Sequence, residues 1–175
     1  DQLLIQKSPR LAGVISDYER ALKQRNSLLK SRAPESSLRS WSEHLATFGG
    51  ELIAGRIKLI NEIEPLFQLA YKNLSSKKLA QLGYKSSIPN PTTDKEVNRD
   101  LILKVVDEVR TQELERGISL VGPHRDDLLL NLGEHPVKGY ASHGESWSIA
   151  LALRLASYQL FINEGAKPIL IFDDV

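Results

Sequence analysis

Between about Leu38 and Asn73, Trp41, Leu45, Phe48, Leu52, Ile53, Ile57, Ile60, Ile63, Leu66, Phe67 and Leu69 recur at helical spacing. This stripe is longer than an average globular helix, and a helix of that length needs a partner to cover its apolar side. The partner is predicted in residues 8–32, where Leu11, Val14, Ile15, Tyr18, Leu22, Leu28 and Leu29 repeat with the same period. Ser8 is the expected N-cap, with Pro9 at the first helical position. Ala33-Pro34-Glu35 separates the two segments, so they are expected to form an antiparallel helical hairpin or arm. Gly49-Gly50 and Pro65 mark expected kinks in the long helix.

A third helix is predicted from about Thr93 to Gly117, with Asp94, Lys95 and Glu96 in its first turn and a glycine stop. "IPNPTTD" before it is a loop by composition, and "SSKKLAQLGYKSS" fits a strand or irregular chain. After Gly117 the texture changes. "ISLVG", "DLLLNLG" and "EHPVKGYAS" are short, turn-bounded and strand-like. A strongly apolar helix over 144–163 follows, and "KPILIF" has the pattern of a strand buried on both faces, as in α/β layers. The expected fold is therefore α/β with a large helical part, helical over residues 1–117 and mixed strand and helix over 118–175.

Composition narrows the chemistry. With 175 residues and no cysteine, the chain has a real core to build, and disulfides, thiolate metal sites and cysteine nucleophiles are excluded. A chain without cysteine suits the reducing cytoplasm, the expected location, and no stretch is long and apolar enough to cross a bilayer. Lysine and arginine total 23 against 22 acids, yet residues 1–117 carry roughly +4 and the rest roughly −3. Arg20, Lys23, Arg25, Lys30 and Arg32 gather toward the end of the first helix, where they suit either the helix dipole or the phosphates of DNA. The chain starts at Asp1 with no methionine anywhere and stops just after "ILIFDD", so both ends read as cuts within a longer protein.

Three constellations are candidates for chemistry. In "YASHGES", Ser142-x-x-Glu145 fits a capping box, while Gly144 and the unpaired helix N–H groups fit a phosphate site; both readings use the same geometry. In "PILIFDDV", an apolar strand delivers Asp173-Asp174 as a Walker B element would, one carboxylate for Mg²⁺ and one for a water; an acid-rich turn has the same pattern. In "VGPHRDDL", Gly122-Pro123 enforces a turn. His124, Asp126 and Asp127 are then either metal ligands or locally paired groups, and Arg125 suits an anion.

The order "GPHRDDL", "SHGE" opening an apolar helix, then "ILIFDD" resembles the RecF family of DNA replication and repair ATPases, in the ABC/SMC-like group. "SPRLAGVISDYERALKQRNSLLK" is similar to that family's helical arm, so the resemblance covers essentially the whole chain. It implies an arm over residues 1–117 and a partial head over 118–175, where Ser142, Gly144 and Glu145 belong to an ABC signature closing over the γ-phosphate of ATP held by a second subunit. It implies Asp173 as the Mg²⁺ carboxylate, acting through water, and Asp174 as the catalytic acid. An aspartate there suits slow hydrolysis. The family's "GPHRDD" is expected to be a structural turn. By the same resemblance the full protein is an ATP-dependent homodimer that binds gapped or double-stranded DNA. It works with RecO and RecR to help load RecA, in recombination, repair and the SOS response. Arg20, Lys23, Arg25 and Lys30 are the candidate DNA contacts. No G-x-x-x-x-G-K-[ST] occurs in the chain, so the phosphate cradle is absent and the chain alone is not expected to hydrolyse ATP. Two alternatives stand beside this reading. One is a non-catalytic helical module binding DNA or protein. The other is a divalent-metal hydrolase built on His124, Asp126, Asp127, Asp173 and Asp174.

Overall fold

The structure, a computed structural model, describes residues 1–75 and 78–171. It is mostly helical with a small sheet. The elements run α1 (Gln2–Lys7), α2 (Leu11–Lys30), α3 (Glu35–Leu74), β1 (Ala80–Lys85), α4 (Lys95–Glu108), α5 (Arg110–Arg116), β2 (Asp127–Leu132), β3 (His135–Pro136), α6 (Val137–Tyr140) and α7 (His143–Asn163). The sheet order is β1-β2-β3. β3 pairs antiparallel with β2, with Asn131 opposite Pro136 and Leu132 opposite His135.

The chain forms two compact units. One comprises residues 1–58 and 85–127, the other 59–84 and 128–175. This differs from the expected boundary at 117/118, because α3 contributes to both units and the turn 118–127 joins the arm helices.

In the first unit, the apolar stripes do what their period predicts. Leu11, Val14, Tyr18, Ala21 and Leu29 of α2 are buried, as are Leu38, Leu45, Ala46, Leu52 and Ile53 of α3. Tyr18, Ala21 and Leu45 form a cluster with Leu22, Trp41 and Phe48 packed on it. Ser8 is not the N-cap of α2 but the C-cap of α1: its carbonyl accepts Leu11 N–H at 2.9 Å in a tight turn, and α2 starts two residues beyond Pro9. Gly49 and Gly50 do not interrupt α3, which runs continuously through both. Their role is close packing. A Cβ on Gly50 would stand 2.5 Å from the Lys95 carbonyl oxygen and 2.7 Å from the Arg99 amide nitrogen, so α4 crosses α3 where only glycine fits. Pro65 also lies within the helix; it and Asn61, whose carbonyl loses its donor, are both exposed, so water can serve that carbonyl.

The expected third helix is two helices, α4 and α5, separated at Val109 (φ −97°, ψ 7°). Asp94 caps α4, accepting from the Glu96 and Val97 amides. Gly117 ends α5 in the left-handed region at φ 65°. The loop before α4 is tied down by Asn98, which is fully buried. Its carboxamide accepts from Thr92 N–H at 2.8 Å and donates to the Thr92 carbonyl at 2.8 Å.

In the second unit, the buried apolar residues are Ile63, Phe67 and Tyr71 of α3, Ala80 and Leu82 of β1, Leu132 of β2, and Ile149, Ala152, Ala156 and Leu160 of α7. Three strand expectations fail in whole or in part. "ISLVG" is irregular, and "EHPVKGYAS" pairs only at His135–Pro136 before turning into α6, whose Lys138 and Gly139 are not helical. "KPILI" is not a buried strand either: Ile169 is 87% and Ile171 78% exposed. A doubly apolar strand needs neighbours on its edges, and among the described residues the sheet closes with three strands that do not include it.

Candidate functional site

α7 begins where the sequence places a cap. Ser142 is extended (φ −65°, ψ 165°), its Oγ accepts from Glu145 N–H at 3.3 Å, and Glu145 Oε2 accepts from Ser142 N–H at 2.8 Å. Two otherwise orphaned amides are thereby satisfied reciprocally. The cap leaves the rest of the terminus accessible. His143 and Gly144 are exposed, and nothing stands within 4 Å of the place a Gly144 Cβ would occupy. The Ser142 hydroxyl uses its oxygen as acceptor in the cap, which leaves its O–H as a donor. Ser142, Gly144 and Glu145 thus lie together on one helix start with open space over it.

A residue that sequence reasoning missed completes this corner. Lys78 Nζ donates to Glu145 Oε1 at 2.7 Å. Together with the Ser142 amide it holds the Glu145 carboxyl down at about 2, so the carboxylate stays ionised throughout the ordinary pH range. The two residues are 67 apart in the chain, and no local pattern couples them. Asp173 and Asp174 lie outside the described residues.

The "GPHRDD" turn belongs to the first unit, and each of its polar groups is engaged by protein. His124 Nδ1 pairs with Tyr18 Oη at 2.6 Å and Nε2 with the Ser119 carbonyl at 3.1 Å. Burial lowers the His124 pKa and raises that of Tyr18. Arg125 donates to the same Ser119 carbonyl at 3.0 and 3.2 Å. Asp126 accepts from Ser87 N–H at 2.6 Å and from Ser86 Oγ at 3.2 Å, and Arg56 Nη1 donates to the Pro123 carbonyl at 2.7 Å. Gly122 sits at φ 124°, with Tyr18 Oη 2.4 Å from where a Cβ would be. These residues knit α2, α3 and the segment after β1. With both His124 nitrogens occupied, the turn does not supply the metal-ligand set of the hydrolase alternative. Among the described residues no group of three or more His, Asp or Glu stands ready for an ion.

The basic residues of α2 separate. Arg25 is wholly buried. Its guanidinium meets Glu113 at 2.5 and 3.1 Å, Ser119 Oγ at 2.7 Å and Ser42 Oγ at 2.9 Å, while Leu120 N–H donates to Glu113 at 2.8 Å. Its expected DNA contact is therefore withdrawn: a cation enclosed on all sides cannot reach a phosphate. Arg20 is exposed and pairs with Asp17 at 3.3 Å. Lys23 and Lys30 line one groove of about 490 Å³ with Glu19, Leu22, Asn26 and Ser27, on a single face of α2. Among the described residues no helix is long and apolar enough to cross a membrane.

No protein-family model matches the chain. Over its whole length it is 50% identical to the DNA replication and repair protein RecF of Streptomyces avermitilis. It is 44% identical to RecF of Beutenbergia cavernae and 45% to RecF of Kineococcus radiotolerans. It covers 50, 53 and 51% of those proteins, so it spans about half the length of the curated relatives it matches. Among solved structures, the recombination mediator protein RecF-ATP in the RecFOR pathway matches 98% of the chain at TM-score 0.89 and 24% identity, over 48% of that protein. The RecF-ATPrS form matches 96% at TM-score 0.87 and 24% identity, over 47% of that protein.

Proposed function

Because the chain belongs to the RecF family, over the half of those proteins that it spans, we propose that it is the signature-bearing part of an ATP-dependent, DNA-binding recombination mediator. In this reading Ser142, Gly144 and Glu145 face the γ-phosphate of an ATP bound by a second copy. The observation that carries it is the start of α7: a capping box fixes the backbone, and the Gly144 amide and Ser142 hydroxyl stay open to an anion. The cap and the phosphate site are then one construction, since Glu145 and Ser142 hold in place the amides that the phosphate would meet. Lys78 keeps Glu145 from presenting an unbalanced negative charge there.

Asp173 would hold Mg²⁺ through water and Asp174 would act as the acid that polarises the attacking water. Mg²⁺ supplies charge neutralisation on the phosphates when bound. The full-length protein is proposed as a slow ATPase that dimerises on gapped or double-stranded DNA in the cytoplasm and acts with RecO and RecR in loading RecA. This chain alone is not expected to hydrolyse ATP, having no phosphate-cradling glycine loop. Lys23 and Lys30, sharing a groove, and the exposed Arg20 remain the proposed DNA contacts.

The test is Ser142→Arg in a full-length protein carrying this chain, followed by analytical ultracentrifugation with and without ATP. The bulky cation in the open space over Gly144 should abolish ATP-dependent dimers. Unchanged dimers would refute the assignment.

A further inference from the structure

The residues just before Ser142 carry a feature that neither the cap nor the signature uses. Tyr140 is 70% exposed, yet its ring is not loose. It lies against the His135 imidazole, with ring centroids 5.4 Å apart and planes 10° from parallel. The backbone enforces that arrangement. Gly139 takes φ 88°, a left-handed turn that L side chains rarely adopt, and Ala141 N–H closes the turn on the Val137 carbonyl at 3.0 Å. His135 in turn is fixed by pairing opposite Leu132 at the β2–β3 hairpin. Two residues later the capping box fixes Ser142. From His135 to Gly144 the chain is therefore a short set of local constraints that present one ring face outward beside the helix start.

An exposed aromatic ring backed by a second ring is a stacking platform. Flat π-systems stack on such a face with little dependence on sequence or hydrogen bonding. Ala141 and Ser142 are extended and span at most about 7 Å, and a tyrosine side chain adds to that, so a ring at position 140 lies within a nucleotide's length of the Ser142 hydroxyl.

We propose that the Tyr140–His135 pair is a base-stacking site, and that the purine ring of the ATP whose γ-phosphate meets Ser142 and Gly144 packs on the open face of Tyr140. The inference rests on the reading given under Proposed function. It adds a contact to the base, supplied by the subunit that does not cradle the phosphates. His135 acts as a positioning residue, holding the tyrosine ring in orientation.

The experiment measures, in a full-length protein carrying this chain, the ATP concentration giving half-maximal dimerisation for Tyr140→Ala, Tyr140→Phe, Tyr140→Trp and Ser142→Arg. Tyr140→Ala should raise it about tenfold, the loss expected from one stacked base. Phe and Trp, which keep the ring, should stay within about twofold. The triphosphate of 2-aminopurine riboside supplies an optical check. Its fluorescence, quenched by stacking, should brighten in Tyr140→Ala dimers relative to Tyr140→Phe dimers. Far-UV circular dichroism of each variant confirms that the exposed position leaves the fold intact. If Ser142→Arg abolishes dimers while Tyr140→Ala matches the parent in both assays, the stacking site is refuted and the signature reading stands. If Ser142→Arg dimerises normally, both fall.

Discussion

Replacing Arg25 by methionine removes one half of an ion pair in which both side chains are 0% exposed. Glu113 would then remain buried, with only the Leu120 amide at 2.8 Å among its present donors. Breaking a buried pair on one side costs about 3–5 kcal/mol, because the surviving charge has lost both water and partner. That is at least about a fifth of the ~5–15 kcal/mol that hold a typical domain together, and most of it for a marginal one. With a urea slope of roughly 2 kcal/mol per molar, the unfolding midpoint should fall by about 2 M. The assay is a urea titration of parent and variant followed by circular dichroism. A surface arginine changes stability by about 0.5 kcal/mol or less, so a shift below about 0.5 M would refute the buried-pair argument and return Arg25 to the surface set. The double variant Arg25→Met with Glu113→Leu should recover part of the loss, since no unpaired charge then remains. Recovery should be incomplete: Leu120 N–H and the Ser119 and Ser42 hydroxyl oxygens also lose a partner, at about 1 kcal/mol each.

Gly50→Ala should destabilise the chain by several degrees of melting temperature, because its Cβ meets the α4 backbone at 2.5 Å; Gly13→Ala, with nothing within 4 Å, should raise it slightly. Both follow from thermal melts. Lys23→Ala with Lys30→Ala should lower the slope of log affinity for double-stranded DNA against log salt by about one unit for each phosphate left without its lysine, measured by fluorescence anisotropy. For Glu145, a folded pKa of about 2 lies below the ordinary carboxylate value, so its stabilising contribution is present above pH ~4.5 and is lost only as pH falls toward 2. NMR titration should find that pKa, and Lys78→Met should move it upward. His124 runs as a buried base. Its pKa lies below 6.5 in the folded state, so the unfolded chain takes the proton first and stability falls as pH drops below about 6.5. His124→Gln lacks that loss, so its stability deficit against the parent, measured by denaturation at pH 8 and pH 5, should be smaller at pH 5.

What could be read from the residues alone was whatever short-range periodicity and local hydrogen bonding decide. The 3.6-residue stripes of α2 and α3, the Gly117 stop and the Ser142–Glu145 box each depend on neighbours within one or two turns, and each stands close to where the pattern put it. The order of the three motifs also carried the family, since covalent order survives without coordinates. Tertiary structure decided the rest, because it depends on groups distant in the chain. Gly49-Gly50 had the look of a kink until α4 was seen lying against it. Arg25 belonged to a basic run until Glu113, 88 residues away, turned out to enclose it. Lys78 had no visible connection to Glu145, nor His124 to Tyr18. "KPILI" shows the limit from the other side: strand propensity lies in its residues, but a strand exists only where another edge supplies the hydrogen bonds.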